Sequence, residues 1–173
     1  MDVKLREVLP FSIAGLQVRT LNAAEQQADS ARIGPMWQRF YVEGLFDKIS
    51  PRQADSFVYG VYSNYESDAS GHFDVTAGVA LEGACADYPS VAVQGGDYLV
   101  FSAKGAMPDC VIQTWGLIWA YFQDNPPGPA RLRHGFRGLH QCRFGSDLHR
   151  HRGLAGRFAL QQLTLAFHTP AVA

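Results

Sequence analysis

Two stretches of the chain carry the same spacing of large apolar residues, and this repetition limits the possible folds more than any other feature. In both, the residues lie at offsets of 0, 4, 7 and 8, the spacing of one face of an α-helix. The positions are Ile33, Trp37, Phe40 and Tyr41 in the first stretch, and Val111, Trp115, Ile118 and Trp119 in the second. The pattern predicts helices near residues 31–48 and 108–124, the second ending before the proline-rich residues 126–129.

The segments around the two predicted helices read as strands, and they also repeat. Residues 3–20 and 91–102 are extended segments interrupted by glycine, and residues 57–62 and 73–81 are rich in β-branched or alternating apolar residues. Any amphipathic helix can show the four offsets, but the matching strands favour an internal duplication. The predicted fold class is α+β, a tandem pair of strand–helix–strand–strand modules with antiparallel sheets and two main helices around a central cleft.

Length and composition place the chain among globular proteins. Its 173 residues suit one domain or two closely packed half-domains, and a hydrophobic content of 47% is enough to fill a core. No segment approaches the roughly 20 apolar residues that a membrane-spanning helix needs, and the first residues do not resemble a signal peptide. The three cysteines lack metal-type spacing and favour reduced thiols. We therefore expect a soluble, cytoplasmic protein that does not bind membranes.

The sequence carries none of the short motifs that mark common catalytic or cofactor sites. Glycine-rich nucleotide loops, the zinc-protease motif, the nucleophile elbow and paired CxxC motifs are all missing. His140, Cys142, His149 and His151 are close in sequence, but their spacing fits no standard metal site. We therefore expect a protein that is not an enzyme, with no catalytic residues, no cofactor and no metal.

The order of the motifs resembles that of the GyrI-like effector-binding domain of AraC-type transcription regulators. The resemblance rests on the segments "VYGVYSNYESD", "GHFDVTAGV" and "GGDYLVFSAKGAMPDCVIQTW", and it covers about residues 3–130. It is closer still to the stand-alone drug-binding proteins carried on integron cassettes. The resemblance implies a module that binds small amphipathic, often cationic, organic molecules in a cleft between two halves, as in multidrug binding.

Aromatic residues are the candidate ligand-binding residues, because their rings supply apolar area and attract cations. The six candidates are Trp37, Tyr41, Phe46, Tyr62, Trp115 and Trp119. Each of them could also be an ordinary core residue, although three tryptophans and seven tyrosines suggest more than packing needs. Three acidic residues, Glu66, Asp68 and Glu82, fall in predicted turns or strand ends, where we expect exposure to solvent.

The same resemblance leaves two other functions open. Some GyrI-like proteins hydrolyse reactive small molecules with a glutamate and a tyrosine, and other relatives bind and inhibit DNA gyrase. The acidic balance of residues 1–130 would suit a protein partner, either gyrase or a regulator. No helix-turn-helix motif precedes the domain, so we do not expect a complete regulator. Direct binding to nucleic acid is also not expected.

The charge of the chain changes sign near residue 131. Residues 1–130 hold 8 Lys and Arg against 15 Asp and Glu, a net charge of −7. Residues 131–173 hold seven arginines and one acidic residue, a net charge of +6. The resemblance implies a strand of the type Asp-Phe-Glu-x-Tyr soon after Ala130, whose buried glutamate balances the charge of the ligand, and this strand is missing.

The genetic code offers an explanation for this departure. With suitable synonymous codons, residues 133–152 read in the +1 frame give Phe-Glu-x-Tyr and then the alternating strand Val-Ala-Ile-Tyr-Ile-Gly-Ile. We therefore expect a GyrI-like domain over residues 1–132, with modules at about 1–84 and 88–132, the second one truncated. Residues 133–173 are expected to be a frameshifted, non-family tail, and not an arm that binds nucleic acid.

Overall fold

The computed structural model of the chain describes residues 2–67, 70–103, 109–124, 138–143 and 162–169. The strands are β1 (Asp2–Val8), β2 (Phe11–Thr20), β3 (Val58–Ser63), β4 (Phe73–Ala80), β5 (Ser90–Val93), β6 (Gly96–Ala103), β7 (Gly138–Arg143) and β8 (Gln162–Thr169). The helices are α1 (Asn22–Glu25), α2 (Ile33–Val42), α3 (Leu45–Lys48) and α4 (Asp109–Asp124). This combination confirms the predicted α+β class.

The described strands form one antiparallel sheet in the order β1-β6-β8-β7-β3-β4-β2-β5. Two strand–helix–strand–strand modules are visible in it. Module 1 consists of β2, α2, β3 and β4, and module 2 consists of β6, α4, β7 and β8. In each module the last strand lies between the other two, so the modules share one topology and meet where β3 pairs with β7.

The modules exchange the strands that precede them. β1 comes before module 1 but pairs with β6 of module 2, and β5 comes before module 2 but pairs with β2 of module 1. The two antiparallel pairings follow the same rule: the numbers of paired residues add to 104, as for Asp2 with Ser102 and for Phe11 with Val93. This exchange ties the two modules together through backbone hydrogen bonds.

The helices α2 and α4 repeat each other in their pattern of burial. The order of buried, half-buried and exposed positions is the same in residues 35–43 as in residues 113–121, wherever both are described. Phe40 and Ile118 stand at the same point of the pattern and are 0% and 1% exposed. The match supports the duplication that the apolar spacing predicts.

The main core lies between the helices and one face of the sheet. Phe40 of α2, Val75 of β4, Phe101 of β6 and Ile118 of α4 belong to a single buried cluster, which therefore contains residues of both modules. A second cluster, which includes Tyr59 of β3, forms on the other face of the sheet, since side chains alternate between faces along a strand.

The first predicted helix is divided into two. Gly44 has a left-handed backbone conformation (φ 63°) and separates α2 from α3. The N-terminus of α2 is satisfied by the Glu25 carboxylate, which accepts hydrogen bonds from the backbone N–H groups of Arg32 and Ile33 at 2.9 and 3.2 Å. The helix begins at Ile33 because Glu25 satisfies these otherwise unpaired donors.

The structure contains two strands beyond residue 132, where the sequence analysis places the end of module 2, and the domain bounds themselves stay a prediction. Residues 138–143 form β7, which pairs with β3, and residues 162–169 form β8, which pairs with β6 and β7. Strands next to an open position present unpaired N–H and C=O groups, and any extended segment can satisfy them. The tail therefore supplies two strands, while the predicted change of reading frame stays a prediction.

Candidate functional site

The helices α2 and α4 pack over different strands of the sheet. α2 packs on β2 and β4, and α4 packs on β6. The strand order places β7 and β3 between these two groups of strands. The region above β3, flanked by the two helices, is where the modules meet on the helical face of the sheet.

The flank of α2 that bears Trp37 and Tyr41 is directed towards this region. Phe40 is buried against the sheet, and Tyr41 follows it by one residue, or about 100° around the helix. The opposite flank bears Arg39, whose guanidinium lies within electrostatic range of Tyr88, just before the edge strand β5. Because β5 lies on the outer side of β2, the Trp37 and Tyr41 flank points the other way, towards β3 and module 2.

Trp37 and Tyr41 form a stacked pair on this flank. Their ring centroids lie 5.8 Å apart with an interplanar angle of 21°. Phe40 contacts both rings edge-on, at 5.8 Å from Trp37 and 5.6 Å from Tyr41. Both rings are half-buried, so the core fixes their orientation while part of their surface stays accessible.

A row of four aromatic rings crosses from module 1 to module 2. Tyr65 stacks on Phe73 at 5.3 Å, and Phe73 contacts Tyr62 at 5.9 Å. Tyr62 of β3 in turn meets Trp115 of α4 edge-to-face, at 5.4 Å and 70°. The structure therefore brings two of the predicted candidates, Tyr62 and Trp115, into contact across the module boundary.

Two members of this row, Phe73 and Tyr65, were not among the sequence candidates. Phe73 begins β4 and is 3% exposed. Tyr65 lies just beyond β3, where Asn64 has a positive φ of 52°. Burial, together with the nearby Tyr62, raises the pKa of Tyr65, so its phenol stays protonated at neutral pH. The one sequence signal that could have identified Tyr65 was an aromatic residue just after the predicted strand 57–62.

Phe46 has a different kind of partner from the other candidates. The guanidinium of Arg52 lies over the Phe46 ring, 4.4 Å from its centroid. Arg52 forms a bridge with Leu81, just after the end of β4, whereas Tyr62 pairs with Val75 near the start of β4. Val75 and Leu81 are six residues apart, which corresponds to about 20 Å of extended strand. Phe46 therefore lies towards the opposite end of module 1 from the row of four rings.

The acidic residues considered from the sequence are exposed where the structure describes them. Glu66 and Glu82 are both exposed, and Asp68 lies outside the described residues. Hydrogen bonds from His72 hold the pKa of Glu66 below its ordinary value, and the two side chains are 3.0 Å apart. The Glu66 carboxylate is thus engaged with its own loop.

The remaining sequence candidates fall in part outside the described residues. Trp119 lies on α4, one turn after Trp115, but its side chain is not described. The described residues contain no group of His, Cys, Asp and Glu that could hold a metal. His149 and His151 lie outside them, as do the side chains of His140 and Cys142. None of the helices in the described ranges has the length and hydropathy needed to cross a membrane.

Comparison with known proteins identifies the family. The profile of the integron-associated effector binding proteins matches residues 4–131, which is well over half of the chain. The chain belongs to this effector-binding family. The GyrI-like resemblance read from the motifs is thereby confirmed, as is the assignment to integron cassette proteins.

Individual relatives agree with this assignment. The Bacillus subtilis (strain 168) protein YobU, named as a candidate transcriptional regulator, is 28% identical over 112 residues, which are 62% of this chain and 69% of that protein. An integron cassette protein from the mobile metagenome of Vibrio cholerae is similar in structure, with a TM-score of 0.68, 28% identity and coverage of 95% of this chain and 94% of that chain. SAV2435, solved with bound tetraphenylphosphonium, has a TM-score of 0.71 at 17% identity, with coverage of 96% and 93%, and shares the fold.

Proposed function

We propose that this effector-binding protein binds small, amphipathic aromatic cations in the region where its two modules meet. The observation that carries the proposal is the contact between Tyr62 and Trp115, which joins a ring of each module at 5.4 Å. The stacked Trp37 and Tyr41, on the flank of α2 directed to the same region, supply a second aromatic wall. Half-buried rings offer a ligand both apolar area and faces that attract positive charge.

Two observations favour a cationic ligand. Residues 1–130, which carry all the candidate rings, have a net charge of −7. The structural neighbour SAV2435 was solved with tetraphenylphosphonium, a delocalised aromatic cation, and this makes the same ion the probe of choice here.

Arg52 limits the part of module 1 that a cationic ligand can use. Its guanidinium already covers the ring of Phe46, at 4.4 Å from the centroid, and repels a second cation there. We therefore place the charged group of the ligand near Tyr62 and Trp115, about 20 Å of strand away. Trp119 stays a candidate because it follows Trp115 by one helical turn.

The proposed activity is binding without turnover. The candidate residues are aromatic rings, which hold and orient a ligand. The hydrolase alternative also needs a glutamate beside a tyrosine, and the Glu66 carboxylate, next to Tyr65 in the chain, is exposed and paired with His72. The family to which the chain belongs is named for effector binding. Ligand capture, with a signal passed to a partner or simple sequestration, is the function that these residues support best.

Calorimetric titration with tetraphenylphosphonium tests the proposal. We expect the parent protein to bind the ion, and Trp115→Leu to weaken binding about 5- to 30-fold, the equivalent of about 1–2 kcal/mol for a partly desolvated cation–π contact. Leu117→Ala is the matched control, because Leu117 lies on the same helix and is 49% exposed. The proposal fails if the parent does not bind the ion, or if both variants weaken binding equally.

A further inference from the structure

The symmetry of the two modules predicts what the sequence after α4 should contain. β7 and β8 occupy the places in module 2 that β3 and β4 occupy in module 1. Because α4 repeats the burial pattern of α2, we expect β7 and β8 to repeat β3 and β4 as well. This comparison can be made within the chain itself and does not depend on the proposed function.

The sequence beyond residue 131 does not contain the expected repeat. β3 reads Val-Tyr-Gly-Val-Tyr-Ser and β4 reads Phe-Asp-Val-Thr-Ala-Gly-Val-Ala, both typical of strands. β7 lies inside the sheet between β3 and β8, yet it reads Gly-Leu-His-Gln-Cys-Arg and contains no β-branched residue. β8 reads Gln-Leu-Thr-Leu-Ala-Phe-His-Thr, which alternates as a strand does but lacks the glycine that β4 has at position 78. Sequence similarity to the family also ends at residue 131, whereas the structural match to the Vibrio cholerae protein covers 95% of the chain.

We propose that the chain from about residue 133 is read in a different frame from the one in which module 2 arose. In the +1 frame, each codon takes the last two bases of one present codon and the first base of the next. With suitable synonymous codons, the present residues 136–152 and the first base of Gly153 then read Phe-Glu-Val-Tyr-Thr-Ser-Ala-Asp-Ser-Val-Ala-Ile-Tyr-Ile-Gly-Ile-Ala. The basic charge of the tail is a by-product of this change.

The shifted reading restores the second copy of both strands, the later one encoded by codons 145–152 and not by those of β8 at residues 162–169. Its Phe-Glu-Val-Tyr-Thr-Ser aligns with Tyr-Gly-Val-Tyr-Ser-Asn at residues 59–64, and its Val-Ala-Ile-Tyr-Ile-Gly-Ile-Ala aligns with β4. A glycine falls at the place of Gly78, where an added Cβ would lie 2.2 Å from the carbonyl oxygen of Ala14, so that position needs glycine. The two strands occur in the same order as in module 1.

Part of the shifted reading is independent of codon choice. The codons of Asp147, His149 and His151 end in A followed by a pyrimidine, and with the first base of the next codon they can encode only isoleucine or threonine. Three alternate positions are therefore β-branched for every possible coding sequence, as a half-buried strand requires. No stop codon can arise in this frame over residues 133–152.

The nucleotide sequence that encodes residues 130–155 tests the inference without any need for folded protein. The shifted codon that begins within Leu139 can encode Phe, Ser, Tyr or Cys, and the one within Arg150 can encode Val, Ala, Asp or Gly. We expect tyrosine at the first, matching Tyr62, and glycine at the second, matching Gly78. Finding both supports the inference, and the lack of either one overturns it.

A restored-frame protein provides the second measurement. Deleting the first nucleotide of the Arg133 codon yields the shifted reading up to its own stop codon, and its thermal unfolding is compared with that of the present chain. We expect a rise in Tm of about 5 °C or more, because interior strands regain residues suited to packing. The matched control is the restored chain with valine in place of the new glycine, which should lose the gain. An equal or lower Tm for the restored chain would show that these strands were never selected to pack here.

Discussion

Module 1 and module 2 share a topology but differ in how well their sequences suit it. Both keep a helix with the same order of buried and exposed positions and a first strand in the same place. Module 1 continues with two strands rich in β-branched and aromatic residues. Module 2 continues with β7, which has no β-branched residue, and with β8, which has two threonines and one phenylalanine. Strand pairing needs only an extended backbone, whereas core packing depends on particular side chains. A change of sequence therefore disturbs the topology less than it disturbs the packing.

Matched core substitutions give the largest expected effect and compare the modules directly. Phe40→Ala in α2 should lower the free energy of unfolding by about 3–5 kcal/mol, and Ile118→Ala in α4 by about 2–5 kcal/mol, because each leaves a cavity in the shared core. Urea denaturation followed by circular dichroism measures both. A single transition is expected, since one cluster joins the modules.

The comparison breaks if Ile118→Ala costs less than about 0.5 kcal/mol, the range of an exposed surface site. That result would mean that α4 is not packed as α2 is. Two separate transitions would instead mean that the modules unfold independently, against the exchange of β1 and β5.

Arg52 covers the ring of Phe46 at one end of module 1, and its removal should have an intermediate effect on ligand affinity. Arg52→Gln exposes the ring of Phe46 to a second cation, so affinity for a dication with charges about 15–20 Å apart should rise about tenfold. Affinity for tetraphenylphosphonium should change less than about threefold. Arg39→Gln is the charge-matched control, because Arg39 lies on the outer flank of α2 and pairs with Glu43. An equal gain in dication affinity for both variants would mean that the loss of one positive charge, and not the exposure of Phe46, causes the effect.

Much of the fold could be predicted from the sequence, because it follows from local spacing. The offsets that include Trp37 and Trp115 predict α2 and α4, and alternation predicts β3 and β4. The break at Gly44 was not predicted, since a glycine within an otherwise helical pattern is often tolerated.

The candidate site was less predictable, because its contacts join residues that are far apart in sequence. Spacing alone gives no sign that Tyr62 meets Trp115, or that Tyr65 turns back onto Phe73. The placement of Arg52 over Phe46 depends on the bridge to Leu81, which is a property of the folded sheet. Aromatic content thus predicts an aromatic surface but not which rings form it.

The exposed loop after β3 should show the smallest effect. Hydrogen bonds from His72 lower the pKa of Glu66, so the stability that Glu66 contributes is present above its unfolded pKa, near 4.5, and is lost as the pH falls through the lower folded value. Glu66→Gln should therefore lower Tm by about 1 °C at pH 6 and by less at about pH 3.5, as an exposed pair contributes little. Glu82→Gln, at another exposed acid, is the control. An equal loss at both pH values would show that the hydrogen bonds between His72 and the Glu66 carboxylate are not the cause.

The central claim is that one cation is held by rings of both modules, and calorimetric titration of tetraphenylphosphonium into single tryptophan variants tests it most directly. Trp37 reports on module 1 and Trp115 on module 2, and neither ring is fully buried. We predict one bound ion per chain for the parent, and weaker binding of that same ion, about 5- to 30-fold, in both Trp37→Leu and Trp115→Leu. Two bound ions per chain, each lost in a different variant, would contradict the account, as would unchanged binding in both.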